Sequence, residues 1–180
     1  MATALCTFVV HVEDRPGVLD RVASLFRRRA FNIDSLNVGR THEPGVSRMT
    51  IVAAADRDTA LRITANLRKL VNVLDVQEIT DKPSVTRTLA LLKIDVAPER
   101  RAEAMQLAEV FRARVVDVSP SALMLEITGT QDKIDGLVSV LRPFGITEMV
   151  QTGVVAMTRG ADGTALRDAN PTPGGDVPAA

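Results

Sequence analysis

Between residues 5 and 12 the chain reads LCTFVVHV, with Phe8, Val10 and Val12 on alternate positions. A period of two in β-branched and aromatic residues predicts a strand. After the EDRPG break the period lengthens. Val18, Leu19, Val22, Leu25, Phe26 and Arg29 recur at spacings of one, three and four, which predicts a helix with one apolar stripe. Pro16 is placed for the first turn of that helix, where its φ is preset and its missing N–H costs nothing. Arg27, Arg28 and Arg29 suit the negative end of the helix. NIDSLNVGRT (32–41) reads as a second strand and HEPG (42–45) as a turn. In SRMTIVAAA (47–55), Met49, Ile51 and Ala53 alternate on a third strand. Asp56 or Asp58 can cap a second helix carrying Ala60, Leu61, Ile63, Thr64, Leu67 and Leu70. VNVLDVQEI (71–79) reads as a fourth strand.

The order β-α-β-β-α-β is the ferredoxin-like split unit. Its two helices cover one face of a four-stranded antiparallel sheet. The other face also carries apolar residues, and a dimer partner is the usual cover. DKPSVTR (81–87) has a proline, charges and no apolar period, as a linker does. Beyond it the order recurs. TLALLKIDV is a strand, and APERRAEAMQLAEVFRA a helix opened by Pro98, with Ala104, Leu107, Ala108 and Phe111 along a stripe. RVVDVS and ALMLEIT are strands, GTQDKIDGLVSVLRPFG is a helix ended by Pro143 and Gly145, and ITEMVQTGVVAMT is a final strand region. The fold class is therefore α+β, two ferredoxin-like βαββαβ domains in tandem. The expected boundaries are 4–80 for the first, 81–86 for the linker and 87–159 for the second. A Gly-, Pro- and Ala-rich tail, 160–180, is expected to be disordered.

Composition narrows the partners. The 180 residues are 46% apolar and 24% charged, a globular balance. Lys+Arg and Asp+Glu are both 22, so no net field favours nucleic acid or an anionic membrane. With no Trp or Tyr and five Phe, stacking platforms for bases are lacking. Cys6, the single cysteine, excludes an internal disulfide and a multi-cysteine metal site, and its neighbours Leu5 and Phe8 suit a buried position. No signal-peptide pattern opens the chain, and no apolar run reaches the ~18 residues of a membrane span. A cytoplasmic protein is expected.

Catalytic readings find little to hold them. His11 lies mid-strand and His42 in a turn, neither with a ligand at metal-binding spacing. Ser24, Ser35 and Ser47 lack a nucleophile-elbow context. Gly17 stands outside any dinucleotide fingerprint. Glu13 and Asp14 are adjacent at a strand end and point apart. The triple arginine reads more simply as a solvated helix end than as a phosphate site.

A small-ligand site remains. A helix N-terminus offers free N–H groups and partial positive charge, which suit a carboxylate. Gly17 admits a ligand close to the backbone. Asp14 can accept from an ammonium group, and Asn32, at the head of the next strand, offers donors and an acceptor. Val18 and Ile33 add apolar surface. Together they suit an amino acid with an aliphatic side chain. The residues leave a second reading open, in which DRPG is only a strand-to-helix turn and Asn32 only a helix exit.

VEDRPGVLDRVASLFRRRAFNIDSLNVGRT, SRMTIV and LVNVLDV together resemble the ACT domain of the acetolactate (acetohydroxyacid) synthase small-subunit family, and GVVAMTRG is similar to that family's C-terminal signature. The resemblance spans about Leu5 to Gly160. It implies that 4–80 is an ACT domain and that the chain is regulatory and not catalytic. The implied partner is a large subunit carrying thiamine diphosphate, magnesium and FAD, with no cofactor in this chain. That partner would be activated and placed under feedback inhibition, typically by valine. The resemblance further implies an ACT-paired homodimer with the effector at its interface. Asp14, Gly17 and Val18 would contact the effector from one chain, and Asn32 and Ile33 from the other. Two positions depart from the family pattern. Asp14 stands where Asn is common, and Ala30 where Gly is usual; a glycine there suits a left-handed helix cap, which alanine adopts only at a cost, so a slightly different turn is expected. A free-standing ACT-type sensor of another enzyme or of transcription is the alternative.

Overall fold

The protein is described by a computed structural model over residues 3–160. The expected tail lies, beyond Gly160, outside the described residues. The first half runs β1 (Ala4–Glu13), α1 (Val18–Arg28), β2 (Ser35–Arg40), β3 (Val46–Ala55), α2 (Arg57–Leu67) and β4 (Val73–Glu78). Its antiparallel sheet has the order β2-β3-β1-β4. The second half repeats the plan with β5 (Ser84–Asp95), α3 (Arg101–Val110), β6 (Arg114–Val118), β7 (Ala122–Gly129), α4 (Gln131–Leu141) and β8 (Ile146–Gln151), in the order β6-β7-β5-β8. One further strand, β9 (Val155–Thr158), pairs antiparallel with residues 84–87 of β5. The architecture is α+β, two βαββαβ units in tandem, the second extended by a strand.

Sequence period sets the cores. Phe8, Val10 and Val12 of β1 lie beside Met49, Ile51 and Ala53 of β3, beneath Val18, Val22, Leu25 and Phe26 of α1 and Ala60, Ile63 and Leu67 of α2. Ala90, Leu92 and Ile94 do the same with Leu123, Leu125 and Ile127 beneath α3 and α4. A fully buried residue of this kind stabilises by about 1.5–3 kcal/mol.

Several expectations shift. Leu19 is 44% exposed and Leu61 63%, and Arg29 is exposed. Leu19 and Leu61 each stand one residue from a buried one, about 100° round the helix, and so leave the narrow stripe that faces the sheet, whereas Arg29 lies past the last residue of α1 as its C-cap. Pro16 precedes α1 and is not in its first turn. The second strand begins at Ser35, so Asn32 stands in the loop before it. The expected linker, 81–86, ends inside β5. The final strand region breaks at 152–154 into β8 and β9.

The face of the first sheet away from its helices is also buried in part. Val9 and His11 of β1 and Thr50 and Val52 of β3 are all buried. A partner copy was the expected cover, but here part of it comes from the same chain. Val154 and Ala156 pack with Val9 and Ile79. Arg48 donates from its guanidinium to the Ala156 carbonyl.

Candidate ligand site at the start of α1

β1 ends at Glu13, and the chain turns sharply into α1. The Val18 N–H donates to the Arg15 carbonyl at 3.4 Å, and Gly17 has φ 83° and ψ −6°. With Pro16 before it, this is a type II turn, whose third residue must take positive φ and so favours glycine. Among the described residues, a Cβ built on Gly17 meets nothing beyond its chain neighbours within 4 Å. The glycine is therefore required by the backbone torsion, and the space in front of it is open. Gly17 brings no side chain to cap α1, so the first-turn amides face outward with the positive end of the helix dipole.

Asp14 is anchored by its N–H to the Gly45 carbonyl at 2.8 Å, and its carboxylate lies 3.2 Å from Arg40 Nε. A ligand ammonium would share that carboxylate with an exposed guanidinium. Val18 is 4% exposed, its side chain buried in the first core. It offers a ligand backbone and no apolar surface.

Asn32 and Ile33 lie elsewhere. They follow the far end of α1, whose 11 residues span about 16 Å. Asn32 is exposed and donates to Asp34 Oδ1 at 3.3 Å, and Ile33 is half-buried against the first core. One chain therefore does not bring them to Asp14 and Gly17. Ala30, just before them, has φ 54°, so the alanine itself takes the left-handed conformation and the turn keeps the geometry a glycine would give.

Two residues of this region have no local signal in sequence. Asn72 is a buried polar residue beyond α2. It donates from Nδ2 to Glu13 Oε2 at 2.6 Å, and its carbonyl accepts the Glu13 N–H at 2.9 Å. Arg21 donates to the Asn72 side-chain oxygen, and Arg15 Nε lies 3.4 Å from Glu13. This chain ties the end of β1, the first turns of α1 and the entry to β4 together. Arg21 lies one turn from Gly17, on the same side of α1. Its positive charge favours a carboxylate there, while Asp20 in the first turn opposes one.

A different cavity, of about 410 Å³, opens beside Cys6 and the start of α2. Asp56, Glu78 and Asp81 face it against one arginine, Arg57, a charge balance that disfavours an acid ligand. Burial raises the Cys6 thiol above its ordinary range, so the sulfur stays protonated and unreactive. Among the described residues no group of His, Cys, Asp and Glu is placed to hold a metal ion, and no helix is long and apolar enough to cross a membrane.

Residues 8–75 match the family described as an AHAS small subunit-like ACT domain, and residues 87–160 that described as the small subunit of acetolactate synthase. A probable acetolactate synthase small subunit from Archaeoglobus fulgidus is 47% identical over 154 residues, 86% of this chain and 96% of the relative. An acetolactate synthase small subunit from Mycobacterium bovis is 48% identical over 157 residues, 87% of this chain and 94% of the relative. The crystal structure of the acetolactate synthase small subunit from Thermotoga maritima superposes with a TM-score of 0.82 at 36% identity, covering 87% of this chain and 98% of that one. The chain belongs to the family of acetolactate synthase small subunits, the regulatory and non-catalytic component of that synthase, with an ACT domain at its N-terminus.

Proposed function

We propose that this chain binds and activates the large, catalytic subunit of acetolactate synthase and makes it sensitive to valine, in the branch of metabolism that builds valine, leucine and isoleucine. The observation that carries the effector site is the Pro16–Gly17 turn. It presents an uncapped helix N-terminus behind a glycine with positive φ and open space in front. That arrangement accepts a carboxylate, and Asp14 stands close by for the ammonium group. Asn32 and Ile33 sit too far along the same chain to join it, so they complete the site from a second copy. Two ACT units pair in this reading, and the effector lies between them. Feedback control then follows if valine binds the inhibited arrangement more tightly than the active one. Thiamine diphosphate, magnesium and FAD belong, on this reading, to the large subunit. This chain's residues bind the effector and change the packing of two copies.

The test is Gly17→Asp in the enzyme reconstituted with its large subunit. The carboxylate fills the open space and repels the effector's own, so valine inhibition is lost while activation of the large subunit is retained. Full valine sensitivity in the variant overturns the site. Calorimetry with valine, leucine and isoleucine on the wild-type chain identifies the effector. A free-standing sensor needs no large subunit, so recovery of a thiamine-dependent partner in a pull-down separates the two readings.

A further inference from the structure

The loop 152–154 crosses from the second unit to the first. At one end the Thr152 N–H donates to the Leu89 carbonyl at 2.9 Å, and Thr152 Oγ1 accepts from the Leu89 N–H at 3.1 Å, which fixes the loop to β5. At the other end the Val154 N–H donates to Ser35 Oγ of β2 at 2.8 Å. Between them Gly153 lies directly on the backbone of β2. A Cβ there would come within 2.3 Å of the Leu36 carbonyl oxygen, 2.7 Å of its carbon and 3.1 Å of Asn37 N. These are backbone atoms, so no side-chain rotation relieves the clash. Either β2 or the loop has to move. Val154 and Ala156 then pack on Val9 and Ile79, and β9 runs on to pair with the start of β5.

Among the described residues β2 is an edge strand, paired in its sheet with β3 alone. Its entry is fixed by Asp34, whose N–H donates to the Val52 carbonyl and whose carboxylate accepts the Ala54 N–H, both at 2.8 Å. Asn32 and Ile33 lie immediately before that anchor. A ligand held by them acts on the strand that Gly153 touches. Close-packed elements shift as bodies and do not deform smoothly, so a displaced β2 has to carry the loop with it or break the Ser35 bond.

We infer that Gly153 and Ser35 are positioning residues that pass effector occupancy at the entrance of β2 to the second unit, through 152–156 and β5. The inference rests on the effector site proposed above. It is tested with Ser35→Ala and Gly153→Ala in the full chain reconstituted with its large subunit, and with Ser35→Thr as the variant that keeps the hydroxyl. Valine affinity of each small subunit, measured by calorimetry, stays within threefold of wild type. The half-inhibiting valine concentration rises at least tenfold for the two alanine variants, and Ser35→Thr restores it. Ser35→Ala removes one hydroxyl without steric conflict, so it reports even if Gly153→Ala fails to fold. Wild-type inhibition in Ser35→Ala overturns the coupling. So does a loss of affinity that matches the loss of inhibition, because the residues then act on the site itself. A wild-type chain that binds no valine removes the effector reading and the coupling with it, and is told apart from the other outcomes by the wild-type calorimetry.

Discussion

Phe26 and Phe31 close the end of α1 together. The Phe31 N–H donates to the Phe26 carbonyl at 3.0 Å, and their rings meet edge-on with centroids 6.0 Å apart and planes at 78°. The Ala30 N–H donates to the Arg27 carbonyl at 3.1 Å. This is a Schellman motif with its usual apolar clasp, and it places Ala30 at the left-handed position. α3 ends the same way. Arg112 has φ 53°, its N–H donates to the Glu109 carbonyl at 2.8 Å, and the Ala113 N–H donates to the Ala108 carbonyl at 2.9 Å.

Ala30→Gly therefore stabilises the protein. Relief of the left-handed strain is worth roughly 1–2 kcal/mol. The greater freedom of glycine in the unfolded chain offsets about 0.5–1 kcal/mol of it. The net gain of about 0.5–1 kcal/mol raises the melting temperature by roughly 1–4 °C, read by calorimetric melting. Arg112→Gly gives a gain of the same sign.

Gly17→Ala and Gly17→Asp separate backbone strain from ligand exclusion. Both force a side chain onto a residue at φ 83°, and among the described residues a Cβ at Gly17 meets nothing beyond its chain neighbours within 4 Å. Each loses about 1–2 kcal/mol in denaturant melts, from the torsion alone. Only Gly17→Asp adds a negative charge at the helix N-terminus. Its valine affinity falls by a further factor of ten or more relative to Gly17→Ala in calorimetry.

His11 makes the fold sensitive to acid. Burial and then the charge of Arg48 hold its imidazole below the ordinary histidine range, against the smaller opposing pull of Asp75 and Glu43. Its Nδ1 is buried without a partner among the described residues. A lowered folded-state value means that the unfolded chain takes up the proton first. The neutral ring costs nothing extra above the ordinary value of about 6.5, and stability falls as pH drops from there toward the folded value. His11→Leu flattens that decline between pH 7 and 5 in urea titrations, and matches or exceeds wild type at pH 7.5.

Asp56 behaves in the opposite sense. Its side chain accepts the Thr59 N–H at 2.8 Å and caps α2. That hydrogen-bonding with Thr59 holds its carboxyl below the usual range. Its stabilising contribution is complete above the unfolded value and is lost as pH falls through the folded one. Asp56→Ala melts below wild type at pH 7, and the gap narrows toward pH 3 in thermal melts.

The regular parts of the fold were legible because each residue's burial follows from its own strand or helix period. Phe8, Val10 and Val12 fall on one face of β1 wherever β1 sits. The strand order follows from the βαββαβ succession. Gly153 is different. A glycine inside a strand pattern signals a bulge or a close approach but not what approaches, and here that is Leu36, far away in the chain. The second cover of the first sheet was missed for the same cause. Val9 and Val52 advertise an apolar face but not which segment lies on it. At the candidate site, the turn at Gly17 was legible from the chemistry of Pro-Gly. Asn72 and Arg21 were not, because their bond joins the first turns of α1 to the turn before β4, which only the fold brings together. Asn32 was misplaced by three residues because NID carries a strand-like isoleucine, whereas pairing starts only after Asp34 has bonded to Val52 and Ala54.

β9 has a consequence for how this chain is made. The first unit leaves the ribosome complete in its own strands and helices, but Val9 and Ile79 wait for Val154 and Ala156 to reach them. At ~5–20 residues per second, synthesis of 80–158 takes roughly 4–16 s. For that interval a nascent ACT sheet holds an apolar face open to chaperones, to other nascent copies or to the ribosome surface. Any fragment that stops before 152 lacks this cover from its own chain.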